Sequence, residues 1–207
     1  MNNIYRLIIM LPIVTLGCTT NVLEENKIVQ QIDRLDMNIF SNKGDKIYSV
    51  TSPNSKYDKV KLQFNLERTT INIFEGEDIK YIITSNSSKL INNNKIVVLN
   101  GDVKLRRLYL NNDYLYGDNL EWIVNKSKFE LLGNVKFENK NLILYSSKAI
   151  MGKDNIIEFF NPVKYVIKGE NNENKYETNS ENALYNINTE SLIFRSKNER
   201  VRSVIYF

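Results

Sequence analysis

Chemistry at neutral pH needs a base, a nucleophile or a metal ligand, and this chain offers few of them. It contains no histidine, which removes the commonest general base and the commonest metal ligand. Its single cysteine, Cys18, leaves no internal disulfide and no thiolate metal cluster. No G-x-x-x-x-G-K-[ST] segment is present to cradle a nucleotide phosphate. The best carboxylate group is Glu75, Glu77 and Asp78, in a segment that reads as a solvated turn. Lys104, Arg106 and Arg107 form the densest basic run, suited either to phosphates or to keeping a strand surface soluble. The net charge of +4 is spread along the chain and makes no basic stripe, so nucleic acid is not implied. Asn86-Ser87-Ser88 and Asn125-Lys126-Ser127 match the glycosylation sequon. These absences point away from an enzyme and imply no metal and no cofactor.

Attention therefore moves to the elements. Leu99–Val103 reads LNGDV, Leu131–Val135 reads LLGNV and Phe159–Val163 reads FFNPV. Each has bulky apolar residues, a Gly/Asn corner and then valine. A spacing of roughly thirty residues with two strands per period marks a β-repeat architecture. A second signature sets a small residue three before another apolar or small one: Ser85 before Ser88, Gly117 before Leu120, Ser146 before Ala149 and Ser180 before Ala183.

The amino terminus has its own logic. Arg6 precedes an apolar run, Leu7–Leu16, of signal-peptide length, followed at once by Gly17 and Cys18. This is similar to a bacterial lipoprotein signal with Cys18 as the acylated residue, although Thr15 stands where leucine is usual. An uncleaved membrane anchor is the other reading. Thr19, rather than Asp, leaves the choice of membrane open, with the inner membrane favoured. Residues 1–18 are thus assigned as signal or anchor, 19–37 as linker and 38–207 as one β-domain. Within the linker, Ile28, Val29, Ile32 and Leu35 have the spacing of a short amphipathic helix.

Beyond the linker, strand signals dominate. Tyr and Phe are abundant, at 12 and 9, and both favour strands. Phe40–Val50 reads as strand, SNKG turn, strand; Ser52-Pro53-Asn54 reads as a breaker. Val60, Leu62, Phe64 and Leu66 alternate as one strand face. Turns are expected at Glu75–Asp78, Asn92–Asn94 and Asn111–Asp113, and a polar loop at Gly169–Lys175. About a dozen antiparallel strands follow.

Side-chain parity then selects one face. Val97, Leu99, Val103 and Leu105 share it across the first corner. Phe129, Leu131, Val135 and Phe137 share it across the second, and Ile157, Phe159, Val163 and Tyr165 across the third. Tyr81, Ile83, Leu115, Leu142 and Leu144 join from neighbouring strands. So apolar a face must be covered, and with no helices the sheet must fold on itself. The interior is then either a filled core or a groove for an apolar ligand.

The S-x-x-A strand ends alternating with G-x-V corners resemble the periplasmic lipopolysaccharide-export bridge proteins, the OstA-like family. Phe40–Pro53, Phe64–Phe74 and Tyr81–Ser88 look most like its LptC branch, and the likeness covers about Asn38–Leu192. The resemblance implies a single elongated antiparallel β-jellyroll, open along one side, and a non-enzymatic role. It implies lipopolysaccharide held by its lipid part, with the inward residues named above lining the groove. It also implies partners: the periplasmic domains of an inner-membrane ABC transporter, met by Phe40–Val50, and an LptA-like bridge protein, met by the C-terminal edge through strand pairing. The alternative is a closed structural or glycan-binding β-sandwich lipoprotein of the cell envelope. The tail from Leu192 to Phe207 loses the alternation and has no clear register.

Overall fold

The computed structural model describes residues 29–108, 113–140, 142–168, 174–197 and 200–205. The signal or anchor segment with Cys18, and most of the Gly169–Lys175 loop, lie outside them. One antiparallel sheet contains all twelve strands, and from β1 to β11 each pairs with the next in sequence. They are β1 (Val29–Phe40), β2 (Lys46–Asp58), β3 (Gln63–Glu75), β4 (Asp78–Ile91), β5 (Ile96–Arg107) and β6 (Tyr114–Ile123). A 3-10 turn, Val124–Lys126, leads into β7 (Lys128–Glu138), β8 (Ile143–Met151), β9 (Ile156–Lys168), β10 (Asn174–Asn186), β11 (Ser191–Arg195) and β12 (Arg202–Ile205). This is the open antiparallel jellyroll that the family resemblance implies.

Three local expectations fail, and two of the failures share a cause. The helical or linker spacing at 29–36 belongs to strand β1, which pairs with β2 along its whole length. Ile32 and Leu35 both turn inward because Arg34, at φ +55°, faces Pro53 where the pairing lapses. A bent strand thus imitates a helix. Pro53 itself lies inside β2, at that same lapse, and does not break the strand. Separately, Val60 and Leu62 are 72% and 56% exposed in the turn before β3, so the alternating strand begins only at Gln63.

The lapse at Pro53 recurs on every neighbouring strand and forms a line across the sheet. On β5, β7 and β9 it holds two residues: Gly101-Asp102, Gly133-Asn134 and Asn161-Pro162, the last joined by a cis peptide. Single residues on the facing strands oppose them: Asp118 opposes both glycine pairs, Ser147 opposes Gly133-Asn134, and Glu181 opposes Asn161-Pro162. Two against one is a β-bulge, which bends the strand and raises its twist. It also explains both sequence signatures. Across the two-residue corner, inward positions lie four apart, as with Leu99 and Val103. Across the one-residue corner they lie three apart, as with Gly117 and Leu120.

The serine of S-x-x-A has a further task. Ser85, Ser146 and Ser180 each donate their hydroxyl to the carbonyl two residues on, at 3.0, 2.9 and 3.0 Å. Ser52 does the same at 2.6 Å. The hydroxyl takes up a carbonyl that the interrupted ladder would leave unpaired. On the outer side of the bend, Asn86 and Asn134 each donate to an aspartate, Asp102 and Asp118, at 2.8 Å.

Folding along this line gives two arms whose inner faces pack on each other. Tyr48 and Phe137 of the first arm meet Trp122, and Phe159 with Tyr185, of the second, with ring centroids 4.8–6.0 Å apart. The tail also finds its register. Strands β11 and β12 lie end to end along β10, parted by a loop at the bend where Glu181 bonds Ser196 and Lys197.

Candidate functional site

Every inward candidate lies where parity places it. Ile83, Val97, Leu99, Leu131, Leu144 and Phe159 are fully buried, and Tyr81, Val103, Leu105, Leu115, Phe129, Val135, Phe137, Leu142, Ile157 and Val163 are at most 9% exposed. Tyr165 is half-buried against the same cluster. The odd corners bring these side chains together because a four-residue step preserves the face. Deep between the arms they touch one another, and the interior is filled.

The arms open at their tips, opposite the bend. A cavity of about 350 Å³ lies there, with Ile47, Ile73 and Tyr81 on one arm and Trp122, Val124 and Phe129 on the other. Lys80 and Lys153 stand at its rim, and Glu75 pairs with Lys80 at 2.7 Å. The floor is aromatic: Trp122 stacks on Phe129 at 5.5 Å, and Phe129 meets Tyr81 at 5.9 Å. Glu75, read as a solvated turn residue, is indeed exposed.

Polar contacts close the mouth on either side of this cavity. Tyr48 donates its hydroxyl to the carbonyl of Asn94 at 2.7 Å. Asn139 donates to the Tyr185 hydroxyl at 2.9 Å. Both bonds cross from arm to arm. Burial pushes the Tyr48 and Tyr81 phenols up, and burial together with nearby carboxylates pushes Tyr185 up to about 12. These phenols are therefore neutral donors or acceptors at physiological pH.

Arg107 corrects the surface reading of the basic run. Lys104 and Arg106 point outward over Tyr114, whereas Arg107 is buried beside Asp113. Burial raises the Asp113 carboxyl, against the lowering effect of Arg107. The alternation Val103, Leu105, Arg107 carried this placement; its charge argued the other way. Trp122, Tyr48 and Tyr185 are further inward residues that parity at the G-x-V corners does not reach. The three-residue step from Gly117 to Leu120 shifts the inward parity of β6 and turns Trp122 in.

The edges differ from expectation as well. The Phe40–Val50 region is half edge and half interior, because β2 is paired on both sides. The amino-terminal edge is β1, with Val29 and Phe40 43% and 57% exposed. The opposite edge is β11 with β12, where Ile193, Val204 and Ile205 are exposed.

The architecture is a meander bent once along its width, with its apolar inner faces packed together and a cavity between the strand tips. The sequence pattern of the LptC-related lipopolysaccharide-assembly family matches residues 13–151, and the chain belongs to that family. Its members are periplasmic, non-enzymatic proteins of lipopolysaccharide transport. Among solved structures, the chain is similar to LptH, the LptA homologue from Pseudomonas aeruginosa. Identity is 15%, the TM-score is 0.48, and the match covers 61% of this chain and 94% of that one. No curated protein matches the sequence.

Proposed function

We propose that this protein takes the acyl chains of lipopolysaccharide between its arms and passes them to a following bridge protein. The supporting observation is the convergence of the parity-matched side chains on one interior that opens in a cavity at the arm tips. Burying one methylene is worth about 0.8 kcal/mol, so a chain burying roughly ten gains on the order of 8 kcal/mol. Deeper entry exchanges side-chain contacts for acyl contacts of the same kind. Such an exchange is nearly even in free energy, which suits a carrier that must also release.

Directed movement then comes from outside. In this reading the inner-membrane ABC transporter supplies the work, the amino-terminal segment holds the protein at the membrane through Cys18 or an uncleaved anchor, and the exposed edges β1 and β11–β12 pair with the transporter and an LptA-like partner. Unpaired edges template such pairing. The filled depth of the interior favours one rival, a closed structural or glycan-binding sandwich.

A photo-crosslinking residue at Phe129, inside the mouth, separates the two. Capture of lipopolysaccharide at Phe129 and none at the exposed outer residue Tyr145 is expected. Equal capture at both, or a protein isolated from cells with no bound glycolipid in native mass spectrometry, would reject the carrier.

A further inference from the structure

Four strands that run in one direction carry a left-handed residue at the bend. Each stands just before the inward residue that follows the corner. They are Arg34 on β1, Arg68 on β3, Asp102 on β5 and Asn134 on β7, at φ +55°, +48°, +46° and +46°. Aspartate and asparagine visit this conformation because a short polar side chain can bond nearby. Asp102 and Asn134 do so, with Asn86 and Asp118. Arginine has no such local bond to make, and at Arg34 and Arg68 it makes none. Both are exposed, and neither guanidinium has a hydrogen bond or an ion pair among the described residues. The backbone strain at these two positions is therefore uncompensated within the fold. A local rule broken twice, at one place and by one residue type, points to a use outside the fold.

The two arginines share an open hollow of about 430 Å³, lined also by Asp36, Thr51, Pro53 and Thr70. Pro53 stands between them, where the β1–β2 and β2–β3 ladders both lapse. Their backbones are two strand spacings apart, about 10 Å, and arginine side chains are long enough to converge on one group between them. Asp36, Thr51 and Thr70 form a cross-strand row beside Pro53. Asp36 is the one carboxylate of the hollow. Glu67, next to Arg68, instead accepts from Asn54 at 3.2 Å and lines a separate hollow with it. Two guanidiniums against one carboxylate favour an oxyanion, and their planar forks suit phosphate oxygens. Two threonine hydroxyls and a carboxylate suit hydroxyl groups, and the Pro53 ring offers an apolar surface to the C–H face of a sugar. An acyl chain would find almost nothing here; a sugar phosphate finds a partner for each of its parts.

We infer that the outer side of the bend, across β1 to β3, is a site for a phosphorylated sugar. Arg34 and Arg68 hold the phosphate, and Asp36, Thr51 and Thr70 bond the sugar hydroxyls. The site faces away from the interior and does not rest on the reading of that interior as a lipid path.

Calorimetry on the full chain tests it, with glucose 1-phosphate, glucose 6-phosphate, glucose and inorganic phosphate as probes. At least one sugar phosphate is expected to bind, inorganic phosphate to bind more weakly and glucose not at all. Arg34→Asn and Arg68→Asn should each weaken the sugar phosphate roughly tenfold, the worth of one hydrogen bond to a charged group. The same variants should unfold at higher urea than the wild type, because asparagine suits the left-handed backbone better than arginine. Stability gained as binding is lost separates a ligand-holding arginine from one that serves the fold. A urea midpoint lowered by both substitutions, or both variants binding the sugar phosphate as tightly as the wild type, would overturn the site. Inorganic phosphate bound as tightly as the sugar phosphates would overturn the sugar and leave a plain anion site. Failure of both sugar phosphates to bind the wild type would overturn the proposal and leave the reading of the interior untouched.

Discussion

The bend and the mouth of this sheet lie at opposite sides of the same interior and are built on opposite terms. At the bend, serine hydroxyls take up carbonyls freed by the interrupted ladder, and asparagine–aspartate pairs tie neighbouring strands. At the mouth, Trp122 and Arg107 keep donors without acceptors, and a cavity of about 350 Å³ stands open. One side spends its polar groups on holding a shape. The other leaves several of them buried and unpaired, the Asp113 carboxylate oxygen among them.

If the bend and the side chains beside it carry the stability, the largest loss should come from there. Leu131 is fully buried two residues before the corner. Leu131→Ala is expected to cost about 2–5 kcal/mol, the range for emptying a well-packed leucine site. Urea unfolding measures it, and a loss as small as that of a surface substitution would mean that the arms are loosely packed even at their joint.

A smaller effect tests the corner itself. Gly133 sits at φ +76°, and a Cβ there would come within 2.4 Å of the Asp118 carboxylate and 3.1 Å of its Cβ. Gly133→Ala must strain the backbone and push away the side chain that Asn134 holds. Gly44, in the hairpin between β1 and β2 at φ +92°, would meet nothing within 4 Å. Gly44→Ala pays only the conformational cost, about 1 kcal/mol, and Gly133→Ala should exceed it by about 1–2 kcal/mol. Equal losses at the two sites would show that the corner contacts contribute little.

The same contrast decides what the amino-acid sequence could reveal. The corners were legible because Gly101, Gly133 and Asn161 recur with the same flanks, and parity across a four-residue step is simple to count. The inward set followed directly. The one-residue corners were harder, since a three-residue inward step looks helical: Ile32 and Leu35 imitated a helix around Arg34, and Pro53 imitated a strand end. Val60 and Leu62 alternate correctly yet lie in a turn, because nothing local shows that β2 and β3 pair only from Gln63. The mouth was least legible. Its residues come from strand tips far apart in sequence, and Arg107 and Trp122 are at home there only because two arms meet. Alternation pointed Arg107 inward, while its charge pointed it out.

The weakest of these perturbations belongs to the arm-to-arm bond at the mouth. Tyr185→Phe removes the hydroxyl that accepts from Asn139 and is expected to cost about 1 kcal/mol at neutral pH, well below Leu131→Ala. Its signature is in the pH dependence. The phenol is pushed up to about 12 in the folded protein, first by burial and then by Asp113 and Glu190, against roughly 10 in an unfolded chain. Below pH 10 both states keep the proton, and the contribution of the folded site is complete. Between pH 10 and about 12 the unfolded state releases its proton while the folded state holds on, so stability must fall as pH rises through that window. Urea midpoints taken from pH 9 upward should therefore decline in the wild type and decline less steeply in Tyr185→Phe. Parallel slopes would mean that Tyr185 ionises as freely folded as unfolded, and that the arms already part at this end of the mouth.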